Sequence, residues 1–247
     1  MNIIVCVKEA PHSESEVIIS KDEKGVEREI LTLGINEWDK YALEEGIRIK
    51  EDNGGKVTVI SLGSNSDDVL WESLAMGADE AIKISQDTFL DGHNTAKMLA
   101  DVIKEMDYDL ILTGLMAADT GNAQVGVMLA SMLGIPHATI VTGIEMENGK
   151  LTARRELEGG LEEKVEVDLP CVLTIQSGIN EPRYVSIMGI KRAKKKELIE
   201  KEGIKGEEYA ELIRLYKPPV SLAEMIEGSP DEVAEKLLEI FKERGLI

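Results

Sequence analysis

A chain of 247 residues, 43% hydrophobic and 30% charged, is long enough for one large α/β domain with a substantial tail and has the balance of a soluble globular protein. Its formal net charge of −19 argues against nucleic acid as a partner, because neutralising phosphates takes surplus Lys and Arg. No apolar run is long enough to cross a bilayer, so no direct membrane insertion is expected; two cysteines without a CxxC or Cys/His pattern suggest a reduced cytoplasmic setting and no metal.

The first two-thirds alternate strand and helix. Ile3 to Val7 is a continuous apolar run, as expected of a strand buried on both faces. A polar insertion from Glu9 to Glu29 has room for a hairpin. Asn36 is a plausible cap for a helix carrying Trp38, Ala42, Ile47 and Ile49, which ends at Gly54-Gly55. A strand over Lys56–Leu62, a helix over Asp67–Met76, a strand over Glu80–Ile84 and a helix over Asp91–Met106 follow. Asp109–Thr113 is the next strand, and a loop leads to a helix from about Ala123 to Leu133. This order predicts a doubly wound, mostly parallel α/β sheet.

After Pro136 the pattern changes. Thr139–Met146, Lys150–Leu157 and Glu162–Val167 read as successive strands, with turns at Asn148-Gly149 and Gly159-Gly160, so the sheet is expected to gain an antiparallel edge before the strand Cys171–Ile175. Residues 197–247 read as a charged tail rather than another sheet layer. Ser221 is a candidate cap. Ser229-Pro230-Asp231-Glu232 is a capping box with proline at the first helical position, ahead of a helix with Val233, Leu237, Ile240 and Phe241 on one face. The pattern leaves open whether that face returns to its own domain or reaches another subunit.

Two stretches carry most of the functional signal. The segment Gly114-Leu115-Met116-Ala117-Ala118-Asp119-Thr120-Gly121-Asn122-Ala123-Gln124-Val125-Gly126 leaves the carboxyl end of an apolar strand and opens a helix. Ligands of doubly wound sheets bind at that edge, and the first amides of a helix can hold a phosphate without a nearby cation. The segment is neither a P-loop nor G-x-G-x-x-G, and spacing alone equally allows a small-residue turn chosen for close strand–helix contact. In the second stretch, Cys171 to Ile175 runs into Asn180-Glu181-Pro182-Arg183-Tyr184, then Ser186-Ile187-Met188-Gly189-Ile190, then a cationic run from Lys191 to Lys196. Exposed apolar residues beside the one dense basic cluster of an acidic chain suggest a docking surface.

The order strand, N-E-P-R-Y, short apolar segment and Lys-rich run resembles the signature region of electron transfer flavoprotein beta subunits. The likeness extends to Ile3-Ile4-Val5-Cys6-Val7-Lys8, to Asn36-Glu37-Trp38-Asp39-Lys40-Tyr41-Ala42-Leu43-Glu44-Glu45 (with Glu37 where the family usually has proline), and to Ser73-Leu74-Ala75-Met76-Gly77-Ala78-Asp79. The resemblance implies an adenine nucleotide alpha hydrolase-like fold over residues 1–196 and a C-terminal helical arm, 197–247, against a partner subunit. It implies a nucleotide site formed by Cys6 through its backbone, by Asn36, Glu37, Trp38 and Asp39, by Leu62 and Gly63, and by Gly114 to Val125. Partner contacts fall to Tyr184, Ile187, Met188, Lys191 and Arg192. The implied partners are an FAD-bearing alpha subunit and either an acyl-CoA dehydrogenase or a quinone- or ferredoxin-linked oxidoreductase.

Family members that hold AMP commonly read N-Q-T-G at the end of the loop. Ala123-Gln124-Val125-Gly126 is more similar to electron-bifurcating relatives, whose beta subunit holds a second FAD. Glu37, Thr120 and Asn122 depart from that pattern, so AMP stays an alternative. The competing class is an unrelated adenine-nucleotide enzyme of the same fold. Against it, His12, His93 and His137 are scattered and no catalytic constellation stands out.

Overall fold

The computed structural model describes residues 1–86, 90–147, 149–204, 206–207, 209–219, 223 and 225–247. Asn148 and Ser221, read above as a turn and a cap, lie outside the described residues. Two compact units are present, Met1–Arg214 and Leu215–Ile247.

The first unit is built on strands β1 (Asn2–Cys6), β2 (Glu9–Pro11), β3 (Leu33–Ile35), β4 (Lys56–Leu62), β5 (Glu80–Ser85), β6 (Leu110–Gly114), β7 (His137–Glu147), β8 (Lys150–Glu156), β9 (Glu162–Val167), β10 (Cys171–Ile175) and β11 (Ile199–Glu202). Its helices are α1 (Glu37–Asn53), α2 (Asp67–Met76), α3 (Gly92–Ile103), α4 (Val125–Leu133) and α5 (Ile187–Ala193). Nine strands form one sheet in the order β11-β5-β4-β1-β6-β10-β7-β8-β9. Pairing is parallel from β11 to β7 and antiparallel over β7, β8 and β9.

The alternation of side chains along the central strands explains the two cores. Ile3, Val5, Leu110, Leu112 and Leu173 face one layer with Leu43 and Ile47 of α1 and Leu70 of α2. Ile4, Ile60, Ile111 and Val172 face the other, with Met98 and Ile103 of α3 and Leu129 of α4. Strands buried on both faces carry continuous apolar runs, which is why β1, β6 and β10 were readable as strands.

Three expectations need correction. The insertion after Glu9 does not simply fold on itself: β2 pairs with β3, which lies beyond it, and only an isolated bridge joins Ile19 to Val26. The tail begins by extending the sheet, because β11 adds a parallel edge strand beside β5. Its alternation of Ile199, Glu200, Lys201 and Glu202 is too short and charged to stand out as a strand. The short apolar segment Ser186–Ile190, given no helix above, is helical from Ile187 on, and the Ser186 hydroxyl caps α5 by accepting from the Gly189 amide at 3.1 Å.

The second unit holds α6 (Pro230–Glu243), with the expected reciprocal cap between Ser229 and Glu232. No α6 residue is buried, and Leu237, Leu238 and Phe241 stay exposed.

Candidate functional site

In chain order the sheet grows from β1 to β4 and β5 on one side, then restarts at β6 on the other side of β1. The carboxyl ends of β1 and β6 therefore diverge at a topological switch point, where this class of sheet opens a crevice. A cleft of about 530 Å³ lies there. Its walls include Cys6 and Lys8 at the end of β1, Leu62 to Ser66 at the end of β4, Leu90, Gly92 and Thr95 around the start of α3, and most of the segment from Gly114 to Gly126.

Close approach of backbone is enforced at two glycines. A Cβ on Gly114 would collide with the Asp39 Oδ1 and sit 2.8 Å from the Trp38 Cβ, and one on Gly126 would sit 2.5 Å from the Thr174 Cγ2 and 2.7 Å from the Thr113 Oγ1. The strand end is thus pressed against α1, and the first turn of α4 against β6 and β10. Between them the loop turns at Ala117, whose carbonyl accepts from the amides of Thr120 and Gly121, and passes through left-handed conformations at Gly121 and Ala123. Residues 118–124 are exposed.

The first turn of α1 fastens this region from behind. Asp39 accepts from the Lys8 amide at 2.8 Å through Oδ2 and from the Gly114 amide at 3.1 Å through Oδ1, joining the ends of β1 and β6. Burial pushes its carboxyl up to about 7, against the opposing pull of the Asn36 side chain, of these two amides and of the Lys8 charge. Asn36 occupies the cap position of α1 but makes no side-chain capping bond. Its Nδ2 instead donates to the Met116 carbonyl at 2.8 Å, and its Oδ1 accepts from the Ala118 amide at 2.9 Å. The cap reading of Asn36 is right in position and wrong in partner. Trp38 donates from Nε1 to Gln176, and Glu37 is exposed away from the cleft lining.

Of the residues read from sequence, Cys6, Asp39, Leu62, Gly63, Gly114 to Ala117, Asp119, Thr120 and Asn122 to Val125 line the cleft. Asn36, Glu37, Trp38, Ala118 and Gly121 do not line it themselves. Burial pushes the Cys6 thiol up to about 12, with Asp39 adding to the shift, so this sulfur is not a nucleophile near neutral pH. Sequence reasoning missed Arg28, Ser64, Asn65 and Thr95. Ser64 and Asn65 were accessible in principle, because they follow Gly63 past a strand end. Arg28 arrives from the polar insertion, which has no periodicity to place it.

Both cations on the cleft wall are paired. Lys8 meets Asp119 at 2.6 Å and Arg28 meets Glu9 at 2.5 Å. An anion entering this site must rely on backbone amides or displace a carboxylate from a cation.

The N-E-P-R-Y turn is clamped to the middle of α1. Arg183 binds Glu44 and Glu51, each at 2.8 Å, and Glu44 also holds Arg48 at 2.7 Å. Asn180 donates to the Tyr41 carbonyl and to Glu45, and Arg48 donates to the Glu181 carbonyl. Hydrogen bonds from Arg183 and Arg48 outweigh burial and hold the Glu44 carboxyl below its usual range. Beyond this clamp Tyr184, Ile187 and Met188 are 89%, 70% and 59% exposed, and Lys191 and Arg192 are exposed beside them. Three large apolar side chains thus stand open to solvent within five residues of one another, next to two cations.

This is a doubly wound α/β architecture with a cleft at its switch point and a surface turn clamped to α1. Residues 26–203 match the model of the electron transfer flavoprotein domain. The chain is 36% identical to an electron transfer flavoprotein subunit beta from Methylophilus methylotrophus, over 98% of both chains. It is 38% identical to one from Syntrophomonas wolfei, over 98% of this chain and 96% of that one. It is also 36% identical, over the whole of both, to the caffeyl-CoA reductase-Etf complex subunit CarD from Acetobacterium woodii. The chain belongs to the electron transfer flavoprotein family, as a beta subunit, and membership implies an alpha-subunit partner and association with flavin. Among the described residues no helix is long and apolar enough to cross a membrane.

Proposed function

We infer that the cleft at the β1/β6 switch point holds an adenine nucleotide whose phosphate rests on the loop before α4. The observation that supports this most is the internal pairing of Lys8 and Arg28 with carboxylates. It leaves the exposed loop and the unpartnered first amides of α4 as the phosphate-binding groups. The cleft volume suits a ligand of this size. The sugar and base then lie toward the ends of β1 and β4, near Cys6 and Leu62.

The nucleotide read from Ala123-Gln124-Val125-Gly126 is a second FAD, with AMP as the alternative. Ala123 brings no polar group to the phosphates, and Val125 lines the cleft with an apolar side chain. When bound, a second flavin supplies a two-electron acceptor for NADH whose electrons can be sent singly to a low-potential and a high-potential acceptor. The likeness to a subunit of a caffeyl-CoA reductase-Etf complex favours this reading over a carrier with structural AMP between acyl-CoA dehydrogenases and a quinone reductase. In either case the Tyr184–Arg192 surface docks partner oxidoreductases, α6 lies on the alpha subunit, and the complex works in the cytoplasm.

The test is the nucleotide content of the heterodimer with its alpha subunit after gentle purification. Two FAD per heterodimer, with NADH oxidation requiring both acceptors, is expected. One FAD and one AMP, with no gain of flavin on adding FAD, would replace the second-FAD reading with the AMP one.

A further inference from the structure

We propose that Asn36 is a positioning residue of the nucleotide loop, shaping the phosphate site from behind without touching the ligand. An asparagine at a helix cap ordinarily gives its side-chain oxygen to an amide of its own first turn. Asn36 makes no such bond. Both polar ends of its amide go to the loop, Nδ2 to the Met116 carbonyl and Oδ1 to the Ala118 amide. A single planar group therefore fixes a carbonyl and an amide two residues apart, which sets the direction of the chain between them.

Asn36 is 2% exposed and is absent from the cleft lining, so it acts through the loop. The stretch it pins is the last backbone held from the protein interior before the exposed residues 118–124. Within it, the Ala117 carbonyl accepts from the amides of Thr120 and Gly121, and just beyond it Asp119 is tied to Lys8. The loop then reaches the start of α4, where Gly126 is pressed against Thr113 and Thr174. The loop is thus anchored at both ends, by Asn36 at one and by the Gly126 contact at the other. Releasing the first anchor would spread the loop amides over many orientations, and their attraction for a phosphate depends on converging on one point. The sugar-and-base end of the cleft is built from β1 and β4; Asn36 reaches the end of β1 through its backbone N–H, which donates to the Lys8 carbonyl at 2.8 Å and is kept in every side-chain variant, so adenosine affinity should not follow the substitution.

The inference rests on the reading that the loop carries the phosphate. It predicts a selective loss: the preference for AMP over adenosine falls, while adenosine binding stays. The experiment titrates AMP and adenosine into nucleotide-stripped heterodimer by calorimetry, for the wild type, Asn36→Ala and Asn36→Asp. In Asn36→Ala the ratio of AMP to adenosine affinity should fall about tenfold, the scale of one well-placed hydrogen bond. Asn36→Asp keeps an acceptor for Ala118 but turns a carboxylate oxygen on the Met116 carbonyl, so its ratio should fall as well; it also serves if the alanine variant does not fold. A wild-type preference for AMP that survives unchanged in the variants, or an equal loss for both ligands, would overturn the positioning role. A wild type with no preference for AMP would instead remove the phosphate-loop reading and this inference with it.

Discussion

Replacing Asp39 by asparagine sets two opposed effects against each other. The carboxylate accepts from two backbone amides, Lys8 and Gly114, that have to be satisfied inside the protein. Asparagine offers one oxygen and one NH2, so one amide N–H must face a donor. Leaving a buried donor unpaired costs about 1–3 kcal/mol. The carboxylate, however, is disfavoured by burial, which raises its folded-state value from 3.8 to about 7. A raised carboxyl pKa means that the folded chain binds the proton more tightly than the unfolded one across that window. Stability of the wild type therefore falls as pH rises from about 4 to about 7 and levels off above, at up to about 1.4 kcal/mol per pH unit. The asparagine variant would lack this dependence. We expect Asp39→Asn to be destabilised most near pH 4–5 and to lose much of its disadvantage by pH 8. Urea unfolding followed by tryptophan fluorescence across this range checks it. A wild-type advantage that is constant or grows with pH would show that the two amides, not burial, govern this carboxyl.

Four further outcomes follow from the geometry. Glu44→Gln should lower stability by about 2–4 kcal/mol, because a buried partner of Arg183 and Arg48 is removed, and the loss should shrink as pH falls through the lowered Glu44 value, where the wild type also gives up this contribution; chemical denaturation at pH 7 and at acid pH compares the two. Gly126→Ala should cost about 1–3 kcal/mol and weaken nucleotide binding, since the new methyl displaces the first turn of α4; unfolding and AMP titration read both effects. Ala123→Gly should raise stability by roughly 0.5–1 kcal/mol by relieving a left-handed conformation, measurable as a higher melting temperature. Ile187→Ala should weaken binding to a partner dehydrogenase by about 2 kcal/mol or more without changing flavin content, as judged by partner-dependent electron-transfer kinetics and absorbance.

Legibility in the sequence followed the physics of each element. The buried parallel strands were plain because burial on both faces demands continuous apolar runs, and α2, β9 and β10 match their expected ranges residue for residue. The loop before α4 was visible because small residues follow a strand and precede a helix. Long-range side-chain choices were hidden. Nothing local announces that Asn36 bonds to Met116 and Ala118 rather than to its own helix, since the partners lie 80 and 82 residues on. The union of β2 with β3 was obscured by the intervening polar residues, and β11 by its charge and brevity. Arg183 was legible as part of a motif, but its grip on Glu44 and Glu51 became apparent only when the turn was seen against α1.

Hydrogen exchange of the heterodimer, with and without added nucleotide, tests the central claim most directly. The account predicts that nucleotide slows exchange of the amides from Ala118 to Gly126, with the largest change at Gln124, Val125 and Gly126, where the loop enters α4. Protection confined to other strand ends, with this segment exchanging at the same rate in both states, would contradict it.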